Sequence, residues 1–224
     1  MQTIIFDLDG TLADTSGDLI AAANACFLAL GHGAMLDPIK DQLTAFHGGR
    51  AMLRLGFGRL GQPWDEADID RQYPDLLRHY SAHIDVHTRL YDGVEPALDR
   101  LAKAGCILGV CTNKPAALAE ELLVRLGIRA RFAAMLGSDS VAARKPDPGH
   151  LLETIRQAGG VPESAVLVGD TQNDSAAARA AGVACLLVTF GPEGQGVARL
   201  NPDGLLDHYD QIETALAGLK RRAD

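Results

Sequence analysis

The sequence predicts an α/β fold in which a parallel sheet carries helices on both faces and an all-helical insert interrupts it early. Three observations lead there. From about residue 90 onward, β-rich apolar runs alternate with amphipathic helical patterns. Glycines stand where those helical patterns stop. Between the first β-rich run and residue 90, the chain holds helical patterns but no convincing strand.

Residues 3–8 are a short apolar run that meets Asp9-Gly10, as a buried parallel strand ending in a functional loop does. Further strands are predicted at residues 106–112, 132–136, 165–169 and 183–189. Residues 95–104, 115–126, 148–158 and 175–181 carry apolar side chains at helical spacing, and Gly105, Gly127, Gly159 and Gly182 follow them. In the early stretch, helices are predicted at 18–30, 38–46, 51–60 and 66–83. That stretch is too long for a β-to-α loop and reads as a small second domain. The expected division is a core of residues 1–14 and 90–224, with 15–89 as the helical insert.

Composition narrows the function. A net charge of −8 argues against nucleic acid or an anionic membrane surface, both of which need a basic face. It leaves room for a small anionic substrate, because a few local cations and a metal can reverse the field in one cleft. Cys26, Cys106, Cys111 and Cys185 form no Cys-x-x-Cys pair and read as reduced thiols. The N-terminus lacks a basic region and reaches an acid at Asp7, unlike a signal peptide. No apolar run approaches the roughly 18 residues a membrane span needs. A cytoplasmic monomer or homodimer is expected.

The residues that can carry chemistry collect at the predicted strand ends. In Phe6-Asp7-Leu8-Asp9-Gly10-Thr11, two carboxylates at i and i+2 on extended backbone would share a face. The C-terminal ends of parallel strands border the crevice where open sheets bind ligands. Asp-Gly is also common turn chemistry. A second cluster, Val168-Gly169-Asp170-Thr171-Gln172-Asn173-Asp174, ends another apolar run. Helix capping explains one of its acids but not both. Two acidic strand ends point to oxygen ligands converging on a hard cation such as Mg²⁺. Cys111-Thr112-Asn113-Lys114 offers a hydroxyl and backbone N–H groups for phosphoryl oxygens, or ordinary capping of the helix that follows. Lys145-Pro146-Asp147-Pro148 offers a cation, or a solvated lysine before a turn. His32, His79, His83, His87 and His150 show no metal-ligand spacing and read as surface residues.

Taken in order, these segments resemble the haloacid dehalogenase-like hydrolase superfamily over nearly the whole chain. The closest likeness is to its phosphoglycolate phosphatase-like branch, which has a helical cap after the first motif. It rests on the run from Phe6 through Asp14, Thr112-Asn113-Lys114, Lys145-Pro146-Asp147-Pro148, and Gly169-Asp170 through Ala180-Ala181-Gly182. Asp92 replaces the family's usual proline before Gly93, and Ser175 replaces an apolar residue after Asp174. Neither departure touches the expected chemistry.

The resemblance implies a Rossmann-like parallel sheet core with an inserted all-helical cap domain. It implies a Mg²⁺-dependent phosphatase that hydrolyses a small phosphate monoester through an aspartyl-phosphate. Asp7 would be the nucleophile and Asp9 the general acid/base. Thr112 would bind the phosphoryl group and Lys145 would balance charge, with Thr11 and Asn113 also at the substrate. The metal would be served by the Asp7 side chain, the Asp9 backbone carbonyl and Asp170, with Asp174 mainly holding waters. Asp9 separates this chain from the family's dehalogenases, which lack an acid there, and from its ion pumps, which carry threonine. In the insert, His47-Gly48-Gly49-Arg50 is the expected substrate-contacting segment, with Arg50 on a distal anion. A helix–helix turn with a solvated arginine is the alternative. Competing readings are a phosphomutase of the β-phosphoglucomutase type and a non-catalytic binding module. The ester itself is left open.

Overall fold

The computed structural model describes residues 1–219. Residues 220–224, part of the expected core range, lie outside the described residues. In chain order the elements are β1 (Thr3–Phe6), β2 (Ala13–Asp14), α1 (Ser16–Ala29), α2 (Gln42–Phe46), α3 (Gly49–Arg59) and α4 (Glu66–Ala82). Then come β3 (Arg89–Leu90), α5 (Val94–Lys103), β4 (Ile107–Cys111), α6 (Ala116–Arg125) and β5 (Ala134–Leu136). The described residues finish with α7 (Pro148–Ala158), β6 (Ala165–Gly169), α8 (Gln172–Ala181), β7 (Ala184–Val188), β8 (Gly204–Leu206) and α9 (Ile212–Gly218). Two compact units result, Met1–Ala13 with Leu90 onward, and Asp14–Arg89.

The first unit is built on a six-stranded sheet in the order β5-β4-β1-β6-β7-β8, with every pairing parallel. β1 is central, and its four residues are wholly buried, which is why it reads as an unbroken apolar run. α7 packs on β1, β4 and β5, and α8 on β6 and β7. Ile5, Cys111, Leu151, Ile155, Leu167 and Leu187 share one buried cluster. Each such Ile or Leu contributes about 1.5–3 kcal/mol by leaving water. Register decides what this core positions. Phe6 pairs with Val110 of β4 and Val168 of β6, so three neighbouring strands run out at nearly the same level.

The second unit contains α1 to α4 and no strand of the main sheet. Phe27 meets Phe57 edge-on, with ring centroids 5.2 Å apart. The buried Asp18 carboxylate accepts N–H from His87 and Thr88 and the Thr88 hydroxyl, tying the unit's two ends together.

Some boundaries differ from expectation. The strand predicted at 3–8 stops at Phe6, because the chain turns: the Leu8 carbonyl accepts N–H from Thr11, Leu12 and Ala13. Gly10, at φ 83°, supplies the left-handed residue this turn requires. The helix predicted at 38–46 begins only at Gln42, since Asp37 Oδ1 takes the N–H groups of Ile39 and Lys40 and holds them in a turn. β2, β3, β8 and α9 are short, and no periodic signal announces them.

Candidate active site

Asp7 is the first residue past β1. Its N–H still donates to the Val168 carbonyl at 2.9 Å, so its backbone is fixed by the sheet. Its Oδ1 accepts the Leu8 N–H at 2.8 Å and lies 3.1 Å from Lys145 Nζ. Asp170 follows β6 and Thr112 follows β4, so the flanking strand ends bring both to the same edge. Lys145 arrives on the loop before α7, and its ammonium lies 2.6 Å from Asp174 Oδ1. Its side chain is about 1% exposed, so it is no solvated lysine.

Asp174 sits in the first turn of α8. Its Oδ2 accepts from the Thr171 hydroxyl at 2.6 Å and the Thr171 N–H at 3.0 Å, while Oδ1 takes Lys145. Capping and ion pairing therefore share one carboxylate. Gly169 makes this fit possible: a Cβ there would lie 2.4 Å from Asp174 Cγ. Asp170 has one oxygen on the Thr11 hydroxyl at 2.9 Å, and its buried Oδ2 has no hydrogen-bond partner.

Three buried carboxylates, Asp7, Asp170 and Asp174, share the single ammonium of Lys145, which leaves their cluster short of positive charge. Burial, then repulsion from Asp174 and Asp9, lift the Asp7 pKa to about 7 against the opposing pull of Lys145. Burial, then Asp174 and Asp7, hold Asp170 well above the usual carboxylate range. Burial works against the Lys145 charge, but Asp174 and Asp7 outweigh it and keep the ammonium firmly protonated. Carboxylate oxygens of Asp7, Asp170 and Asp174 lie within 4.8 Å of one another. An all-oxygen donor set with an orphaned buried oxygen and surplus negative charge fits a hard divalent cation.

The strand face expected to present Asp7 and Asp9 together is replaced by the turn after Phe6. The Asp9 carboxylate points to Lys114, with Nζ 2.8 Å from Oδ1. Lys114, the last residue of the Thr112-Asn113-Lys114 motif and expected to have no side-chain role of its own, has a side chain only 4% exposed that ends on Asp9. Thr11 is fully buried against Asp170, and Thr112 Oγ1 accepts the Lys114 N–H at 3.2 Å. Asn113 Nδ2 donates to the Lys145 carbonyl at 2.9 Å. Gly48, Gly49 and Arg50 lie in the Asp14–Arg89 unit at the start of α3. There Gly49 packs on Tyr73 and Leu76, while Arg50 pairs with Asp70 at 2.6 Å and covers the Tyr73 ring. His150, expected at the surface, is completely buried.

This fold and this edge of carboxylates define a haloacid dehalogenase-like hydrolase: residues 4–188 match the model of that family, and the chain belongs to it. A phosphoglycolate phosphatase from Mesorhizobium japonicum is 40% identical over 214 residues, covering 96% of this chain and 94% of the relative. An N-acetylmuramic acid 6-phosphate phosphatase from Pseudomonas aeruginosa is 35% identical, with 95% and 93% covered. Among solved structures, a predicted phosphoglycolate phosphatase from Haemophilus somnus superposes with a TM-score of 0.85 at 27% identity, covering 96% and 97%. The chain is a phosphoric monoester hydrolase. Among the described residues, no helix is long and apolar enough to cross a membrane.

Proposed function

We propose that this chain hydrolyses a small phosphate monoester of the phosphoglycolate type, with Asp7 as nucleophile. One observation carries the reading: the buried Asp7 carboxylate lies 3.1 Å from the Lys145 ammonium and clusters with Asp174 and Asp170, whose Oδ2 is unpartnered, while a second acid, Asp9, is near enough to repel it. Asp7 attacks phosphorus as the ester P–O bond breaks, and Asp9 passes a proton to the departing alkoxide. Water then attacks phosphorus, Asp9 takes its proton, and inorganic phosphate leaves with Asp7 restored. Lys145 and Thr112 hold the phosphoryl oxygens.

Asp7, Asp170 and the Asp9 carbonyl would hold Mg²⁺. Asp174, already occupied by Lys145 and Thr171, would act from outside through water. Mg²⁺ there would supply the positive charge that lets an anionic nucleophile meet an anionic phosphoryl group.

Residues 15–89 would act as the cap that sets specificity, as the likeness to capped phosphatases implies. For Arg50 to hold a substrate anion it must exchange Asp70 for the ligand. Thr11 and Asn113 act beside the substrate through Asp170 and Lys145. The four free cysteines suit the reducing cytoplasm.

The test is phosphate release from a panel of phosphoglycolate, N-acetylmuramic acid 6-phosphate, sugar phosphates and pyrophosphate, with Mg²⁺ and with chelator. Free phosphate supports hydrolysis; an isomerised sugar phosphate would favour the mutase. No turnover of any member, with metal binding intact, would point to a binding module.

A further inference from the structure

His150 is a fully buried side chain two residues into α7 that the chemistry above leaves unused. Its Nδ1 lies 3.4 Å from the Lys145 backbone nitrogen, and its Nε2 lies 3.3 Å from the Leu136 carbonyl oxygen. A backbone N–H can only donate, so Nδ1 must accept and the ring proton belongs on Nε2, where the carbonyl receives it. Burial first, then the Lys145 charge, press the ring's pKa down to about 4, outweighing the Leu136 carbonyl and Asp147. The imidazole is therefore neutral at any ordinary assay pH.

Two further contacts give this position its meaning. The Leu136 carbonyl that His150 engages also accepts the Thr112 N–H, at 3.0 Å. On the other side of Lys145, Asn113 Nδ2 holds the carbonyl at 2.9 Å. Both backbone polar groups of Lys145 thus end on side chains, and the loop from 137 to 147 contains no helix or strand to fix them otherwise. A lysine ammonium rides on four rotatable bonds, so its placement is only as good as its backbone anchor.

We propose that His150 is a positioning residue for phosphoryl transfer, a neutral bridge that locks the Lys145 backbone to the strand end carrying Thr112. This rests on the reading of Lys145 as the charge-balancing cation. By tying both residues to the Leu136 carbonyl, the bridge keeps the ammonium between Asp7 and Asp174 in register with the Thr112 hydroxyl.

The test compares His150→Leu, His150→Gln and His150→Asn in the full chain with Mg²⁺, using p-nitrophenyl phosphate. Leucine removes the acceptor, and glutamine places its amide beyond the Nδ1 position. Asparagine keeps an oxygen close to where Nδ1 stood. The Leu and Gln variants should lose roughly tenfold in kcat with KM within about twofold, and Asn should recover to within about threefold. Should the Leu variant not fold, the Gln and Asn pair carries the comparison. Lys145→Ala is the control. In that background the His150 changes should cause no further loss of kcat, as for two residues acting through one group. Wild-type kcat in the Leu and Gln variants would overturn the proposal, and so would an equal drop with and without Lys145. If Lys145→Ala itself kept full turnover, the reading of Lys145 would be at fault instead.

Discussion

Lys114 Nζ and Asp9 Oδ1 are 2.8 Å apart, joining the loop after β4 to the turn after β1. The lysine is almost fully buried, while the aspartate keeps about a fifth of its side chain exposed. A buried cation paired with a mostly buried acid holds that acid at a defined place on the rim of the site. A proton must be delivered to a leaving group there, and placement within hydrogen-bond reach is the first requirement of a general acid.

Lys114→Met should therefore lower kcat by roughly tenfold, less than removal of the acid itself. Asp9→Asn should cost on the order of 10²-fold and leave phosphate on Asp7, visible by mass spectrometry of quenched enzyme. Full turnover in Lys114→Met would show that Asp9 needs no such partner.

Asp170 makes a prediction in which stability and function part. In metal-free protein its Oδ2 is a buried oxygen without a partner, and its neighbours Asp7 and Asp174 repel it. Asp170→Asn keeps an acceptor for Thr11 and removes a charge, so the metal-free variant should melt at or above the wild-type Tm. Adding Mg²⁺ should raise the wild-type Tm and leave the variant's unchanged. A variant that still gained stability from Mg²⁺ would place the cation elsewhere.

His150 gives a signed pH dependence. Its folded pKa of about 4 lies below the ordinary histidine value, so the unfolded chain takes up the proton first as pH falls. The stability it contributes is full above about pH 6.5 and is lost on descent towards pH 4. Between pH 7 and pH 5 the loss is about 2 kcal/mol. Asp7 and Asp170, with raised pKa values, work in the opposite direction, so the measurement is the difference between wild type and His150→Asn in urea at both pH values. Equal pH dependence in the two proteins would refute it.

Gly169→Ala should be costly despite its size. The added Cβ would fall 2.4 Å from Asp174 Cγ, at a residue fixed by Lys145 and Thr171. Overpacking of this kind costs about 1–3 kcal/mol, and the shifted carboxylate should also weaken Mg²⁺ activation. A denaturant titration and a Mg²⁺ dependence of activity would read the two effects separately.

Much of this was legible in the sequence because buried parallel strands announce themselves. β1, β4, β6 and β7 are apolar runs, and the first three end beside Asp7, Thr112 and Asp170. What escaped has physical reasons. β8 is three residues long, with a glycine and an exposed Leu205, and leaves no periodic trace. Lys114 and His150 are polar residues whose burial depends on partners distant in sequence, Asp9 and Leu136 respectively. Spacing along the chain cannot report such contacts. The strand expected to carry both Asp7 and Asp9 ends at Phe6, and the three hydrogen bonds from residues 11–13 to the Leu8 carbonyl put Asp9 within a turn.

The nucleophilic role of Asp7 is tested most directly by phosphate release from phosphoglycolate with Mg²⁺, comparing wild type with Asp7→Asn. The substitution keeps size and most hydrogen bonding while removing the attacking carboxylate. Wild type should release phosphate, and Asp7→Asn, folded by circular dichroism, should release none above background. Phosphate release at the wild-type rate from the Asn variant would contradict the assignment of Asp7 as the nucleophile.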